Sequence, residues 1–113
     1  VSARDNLSPQ QFPVEKLGKM TSQWGNGKTN EEVYQNPADR FDAVEDKYAR
    51  NKGFNSAREY HEHLVSDIRD NGVQTPLHVS EGAGRWPRII NGHHRFFAAR
   101  DLGMTEVPVH FSA

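Results

Sequence analysis

Ile89-Ile90-Asn91-Gly92-His93-His94-Arg95-Phe96-Phe97-Ala98-Ala99-Arg100-Asp101-Leu102-Gly103-Met104-Thr105-Glu106-Val107-Pro108-Val109 is the stretch whose reading decides the fold. Arg88-Ile89-Ile90 is short and β-prone, and Asn91-Gly92 breaks it. Residues 92–102 then read as a helix, with Gly103 as its stop. Val107-Pro108-Val109-His110-Phe111 alternates and reads as a final strand, placed on a sheet edge by Pro108. A strand, a helix and a strand in about twenty-five residues imply a mixed sheet with helices on it.

The junction of that first strand and helix also carries the chemistry. The first N–H groups of a helix lie outside its internal bonding, and the helix dipole there favours negative charge. Gly92 lets a ligand approach the backbone, Arg95 offers a planar fork for phosphate oxygens, and His93 and His94 can donate. Gly92, His93, His94 and Arg95 are therefore the candidate phosphate or nucleotide-binding residues, with His94 the candidate for catalysis. The plainer alternative is that Gly92 only satisfies a positive φ, the histidines sit at a core edge, and Arg95 pairs with Asp101 or Glu106.

Upstream, Ser56 with Glu59 forms a capping-box signature for a helix over 56–71, its stripe Tyr60, Leu64 and Ile68, with Gly72 as the stop. Leu77-His78-Val79 reads as a strand joined to 88–90 by a glycine-rich hairpin, Ser80 to Pro87. Residues 37–50 read as a peripheral helix capped by Asn36, with Pro37 at its first position and Phe41, Val44 and Tyr48 as a narrow apolar stripe. Residues 18–30 read as a loop around Trp24, 12–17 as a short edge strand, and 1–11 as a polar arm. The expected core is Val14, Leu64, Ile68, Leu77, Val79, Ile89, Ile90, Phe97, Ala98, Leu102, Val107 and Val109.

The 113 residues (12.8 kDa) suit one domain. With 35% hydrophobic residues and a mean hydropathy of -0.86, some of the chain is expected to carry little core. No apolar run is long enough for a membrane span or a secretory signal, so no membrane partner is expected. There is no cysteine, which excludes disulfides, thiolate metal sites and a cysteine nucleophile, and fits a cytoplasmic protein. The net charge of -1 argues against a general polyanion binder. Charge is uneven, however: residues 29–70 are net acidic, whereas the basic groups of 71–113 are Arg85, Arg88, Arg95 and Arg100. An arginine cluster beside an acidic segment suggests a local anion site.

Two blocks carry a family resemblance. Leu64 to Val79 resembles the helix, glycine turn, Gln-x-Pro and strand that open the ParB N-terminal domain, here Gly72-Val73-Gln74-Thr75-Pro76. Ile89 to Val109 is similar to that family's second block, in which a glycine-led polar motif ending in arginine opens a helix and Leu-Gly-x-Thr-x-Val-Pro-Val follows. The resemblance covers about 56–111, with 12–17 as the family's first strand and 18–55 as a helical insertion outside the core of a single 1–113 domain. It implies an α+β fold of the ParB/sulfiredoxin type, a small mixed sheet with packed helices, and nucleotide binding at the glycine-led turn. ParB proteins usually carry Gly-Glu-Arg-Arg there and sulfiredoxins Gly-Cys-His-Arg, where this chain has Gly92-His93-His94-Arg95. His93 replaces the reactive cysteine, so sulfinic-acid reduction does not carry over. The Gly-His-His-Arg version looks closest to stand-alone members found in phages and mobile elements, often labelled ParB-like nucleases. These 113 residues hold no helix-turn-helix or dimerisation domain of the ParB kind, so centromere binding is not expected to carry over.

Three readings follow. The first is a nucleotide-binding domain taking ATP or CTP with Mg²⁺, with or without hydrolysis or phosphotransfer. The second is a DNA-binding protein or nuclease. The third is a phage scaffold that binds a host protein through 18–55. No protein metal site is expected. His61 and His63 point opposite ways on one helix, and His93 and His94 are poor joint ligands, while Glu15 or Asp67 could meet a phosphate-bound magnesium. Gly25-Asn26-Gly27-Lys28-Thr29 lacks the spacing of a P-loop, and Trp24 and Trp86 are candidates for stacking on a base.

Overall fold

The computed structural model describes residues 9–22, 28–81 and 87–112, apart from the side chain of Asp39. Arg85, Trp24, Trp86, the Gly25–Gly27 segment, the hairpin tip and most of the polar arm lie outside those residues. In chain order the elements are β1 (Gln10–Pro13), α1 (Val14–Lys19), α2 (Asn30–Tyr34), α3 (Pro37–Arg40), α4 (Ala43–Asn51), α5 (Ala57–Asn71), β2 (Leu77–Ser80), β3 (Arg88–Asn91), α6 (His93–Asp101) and β4 (Glu106–Ser112). The fold is α+β, as expected. One four-stranded mixed sheet has the order β1-β4-β2-β3, with β4 antiparallel to β1 and parallel to β2, and β3 antiparallel to β2.

Alternation builds the sheet's buried face. Val107, Val109 and Phe111 of β4 and Leu77 and Val79 of β2 turn inward, and Ile89 of β3 joins them. Over that face runs α6, in which Phe96, Phe97, Ala98 and Ala99 are all buried. Four consecutive buried positions mean apolar contact around the whole helix, so α6 is the central helix and not a surface one. Its charge is confined to its two ends, His93 to Arg95 and Arg100 to Asp101.

Several sequence expectations are corrected. Residues 12–17 are not one strand: β1 ends at Pro13, and Val14 opens α1, burying Val14 and Leu17. Pro13 supplies the N-cap of that helix with extended backbone, a geometry that suits the turn into it. β4 is an interior strand despite Pro108, which lies opposite Gln11 of the four-residue β1. The single 37–50 helix is two. Asn36 caps α3 as expected, but the Asp42 side chain accepts from Glu45 N–H (2.9 Å) and starts α4 afresh. Val44 is 73% exposed, so the apolar stripe fails.

The core differs at a few positions. Ile90 is 38% exposed and Leu64 and Leu102 are half-buried, whereas Leu17, Val33, Phe96 and Phe111 are buried. Val33 matters most, because the 18–55 segment was expected to stay outside the core. Thr29 and Glu32 form a full capping box for α2. Asn30 donates from Nδ2 to the Leu17 carbonyl (2.9 Å), and its N–H bonds Met20 O (2.8 Å). These bonds set α2 against α1 and press Val33 into the core. At Ser56 only half of the expected box forms: Ser56 accepts from Glu59 N–H, but the Glu59 carboxylate accepts from Asn55 N–H instead.

Candidate functional site

The β3–α6 junction is a strand-to-helix turn at the edge of a cleft. Gly92 is the N-cap of α6 with φ 112°, a conformation that favours glycine. A Cβ here would also lie 2.8 Å from Leu77 Cγ, so close packing on β2 independently requires its absence. The Phe96 N–H makes the first i→i−4 bond of α6, to Gly92 O (2.9 Å). The helix end borders a cleft of about 420 Å³ lined by Asn91, Gly92, His94 and Arg95, by Tyr48 of α4 and Lys52 at its C-cap, by Tyr60 and Leu64 of α5, and by Thr75. That volume lies within the range of small-molecule sites.

The four motif residues divide. Gly92, His94 and Arg95 line the cleft, whereas the His93 side chain is buried and does not. Burial, with His94 nearby, pulls the His93 pKa down to about 4, so it is neutral at pH 7 and suits packing better than anion binding. His94 meets Tyr48 and Tyr60 edge-on, with centroids 5.4 and 5.1 Å away, and its Nε2 lies 3.3 Å from Glu45 Oε2. Arg95 pairs with neither Asp101 nor Glu106. It donates from Nη1 to the carbonyls of Thr75 (2.7 Å) and Pro76 (2.9 Å), and from Nη2 to Asn91 Oδ1 (3.2 Å). The guanidinium thus clamps the α5–β2 connection to the end of β3 while facing the cleft. Burial lowers its pKa.

The family model of the ParB N-terminal domain matches residues 28–113. The chain belongs to the ParB N-terminal domain family. The crystal structure of sulfiredoxin from Arabidopsis thaliana is similar in fold, with a TM-score of 0.51 at 21% identity, covering 91% of this chain and 82% of that one. No curated protein matches the chain by sequence. Much of the segment read as an insertion, from residue 28 onward, falls inside the family match, in keeping with Val33 in the core of this ParB N-terminal domain.

Other candidate residues lie elsewhere. Glu15 pairs with Lys19 on α1, Asp67 accepts from Asn71 Nδ2 (2.9 Å), and neither of these two candidate carboxylates lines the cleft. Arg100 forms a two-point pair with Glu31, its Nε at 2.7 Å from Oε1 and Nη2 at 2.9 Å from Oε2. That pair borders a second cleft of about 400 Å³ with Gly18 and Met104, which holds none of the motif residues. Among the described residues, no three His, Cys, Asp or Glu side chains cluster as metal ligands, and no helix is long and apolar enough to cross a membrane.

The cleft's far wall was not among the residues expected from the sequence. Tyr48 and Tyr60 stack on each other (6.1 Å, 21°), and Lys52 Nζ lies 5.0 and 5.8 Å from their centroids. Tyr60 was read only as the first residue of the α5 apolar stripe; burial, its largest influence, raises its pKa. Nothing local in the sequence ties Tyr48 and Lys52 to Gly92. Asp46 Oδ1 accepts from Ala57 N–H (2.8 Å), a bond that joins α4 to the start of α5.

Proposed function

We propose that this domain binds a nucleotide in the β3–α6 cleft, with the phosphates at the start of α6. The observation that carries the reading is convergence: the N-terminal end of α6, Arg95, Lys52 and a two-tyrosine wall all line one cleft of about 420 Å³. A helix N-terminus with a close-packed glycine suits phosphate oxygens, and cations beside it add charge. The tyrosine wall suits a base, since aromatic stacking accepts any of them. Family membership supports the reading without supplying a base preference. ATP and CTP, with Mg²⁺, are the ligands to try first.

His94 is the candidate for any proton transfer, with Glu45 Oε2 3.3 Å from its Nε2. Binding is the primary claim and hydrolysis the secondary one. Thermal unfolding with ATP or CTP, with and without Mg²⁺, tests the first. Ligand at about a hundred times its Kd should add about 2.7 kcal/mol of stability. If neither nucleotide moves the transition at millimolar concentration, the proposal fails. Phosphate release that disappears in His94→Ala while binding persists would support the catalytic role, and release unchanged by the substitution would exclude it.

A further inference from the structure

Arg95, the arginine expected to grip phosphates, has donors engaged by the Thr75 and Pro76 carbonyls and by Asn91. Recruiting those donors for a ligand would loosen the α5–β2 connection. His94 has Glu45 beside it, and that carboxylate opposes an anion at the same spot. A polyphosphate in the cleft therefore needs another cation. Lys52 lines the same cleft, is exposed, and has no carboxylate partner among the described residues. Its ammonium rests on the Tyr48 and Tyr60 rings, at 5.0 and 5.8 Å from the centroids.

Resting on the phosphate reading above, we infer that Lys52 is the cleft's transferable phosphate-binding cation, stored on the two tyrosine rings and drawn onto an incoming polyphosphate. An exposed cation–π contact is weaker than a charge-assisted hydrogen bond to a phosphate oxygen, so the transfer is downhill. Lysine suits it, being a compact charge on a flexible four-carbon stem with three rotatable donors. Departure of the ammonium also frees the part of the ring surface on which it rests. One movement of Lys52 thus readies both halves of the cleft, the cation for the phosphates and the rings for a base. This assigns α4 a direct part in ligand recognition.

The test uses inorganic tripolyphosphate as the probe on the full chain. Calorimetric titration should show binding to the wild type, about tenfold weaker binding to Lys52→Met, and recovery in Lys52→Arg. Methionine keeps an unbranched apolar chain to lie against the rings while removing the charge. In the wild type, the Lys52 ε-methylene protons should start shifted upfield by the tyrosine ring currents and move downfield as tripolyphosphate binds. Equal affinity of wild type and Lys52→Met would overturn the inference and leave the phosphate reading standing. So would ε-methylene protons that stay on the rings at saturation. No tripolyphosphate binding by the wild type would overturn the phosphate reading itself, and this inference with it.

Discussion

At the residue scale, two substitutions separate backbone geometry from side-chain chemistry. Gly92 combines a positive φ with contact to Leu77. Gly92→Ala should therefore cost about 1–3 kcal/mol in a denaturant melt, through strain and displacement of Leu77. A cost below about 0.5 kcal/mol would mean the junction is looser than its geometry. Arg95 is both ligand-facing and structural. Arg95→Ala leaves the Thr75 and Pro76 carbonyls without their donor, so it should lower stability by about 1–3 kcal/mol as well as weaken nucleotide binding. Arg95→Lys should restore only part of each, because one ammonium cannot span the two carbonyls and Asn91 with a planar fork. An Arg95→Ala variant that loses affinity but no stability would contradict the clamp.

At the element scale, α6 couples the core to the cleft, and His93 at its first position gives that coupling a pH signature. The imidazole titrates at about 4 in the folded chain, against an ordinary value of 6.5. Below pH 6.5 the unfolded chain takes up a proton there that the folded chain refuses. Stability is therefore full above pH 6.5 and falls as pH drops toward 4, by about 3 kcal/mol from this residue. His61, lowered by burial, acts in the same direction. So does Asp101, whose burial would raise its pKa but whose hydrogen bonds from Tyr34 and His61, with Arg40 nearby, lower it overall. Urea midpoints at pH 7.5 and 4.5 should differ, and His93→Leu should shrink the difference. An unchanged difference would place the acid sensitivity elsewhere.

The same element shows what was legible in the sequence. The glycine stops and the β2–β3–α6–β4 order are local signals and stand as read, and Asn36 and Ser56 are N-caps, although Asn36 caps a shorter helix and Ser56 forms only half of its box. What local pattern could not carry is tertiary. Pro108 marks an edge only when nothing lies beyond it, and β1 comes from the far end of the chain. Tyr34 and Arg40, from the supposed excursion, meet His61 and Asp101 through pairs separated by up to 67 residues. Arg95 has the right chemistry for phosphate and the right chemistry for a carbonyl clamp, and only distances distinguish the two.

At the scale of the whole molecule, two halves of the chain meet at the cleft. The β2–β3–α6–β4 half supplies the glycine turn and Arg95, and the α4–α5 half supplies the tyrosine wall and Lys52. Asp101 ties α6 to the helices beside it, accepting from Tyr34 Oη and from His61 Nε2 (2.5 Å), while Arg40 bonds the Tyr34 carbonyl (2.9 Å). The second cleft at Gly18, Arg100 and Met104 is similar in size, so location decides the case more directly than affinity. The deciding measurement is an amide chemical-shift map of the ¹⁵N-labelled chain titrated with ATP and Mg²⁺. Nucleotide bound in the β3–α6 cleft should give saturable shifts concentrated at Asn91 to Arg95, Thr75, Tyr48 and Lys52. Shifts gathered instead around Gly18, Arg100 and Met104, or none at millimolar nucleotide, would contradict it.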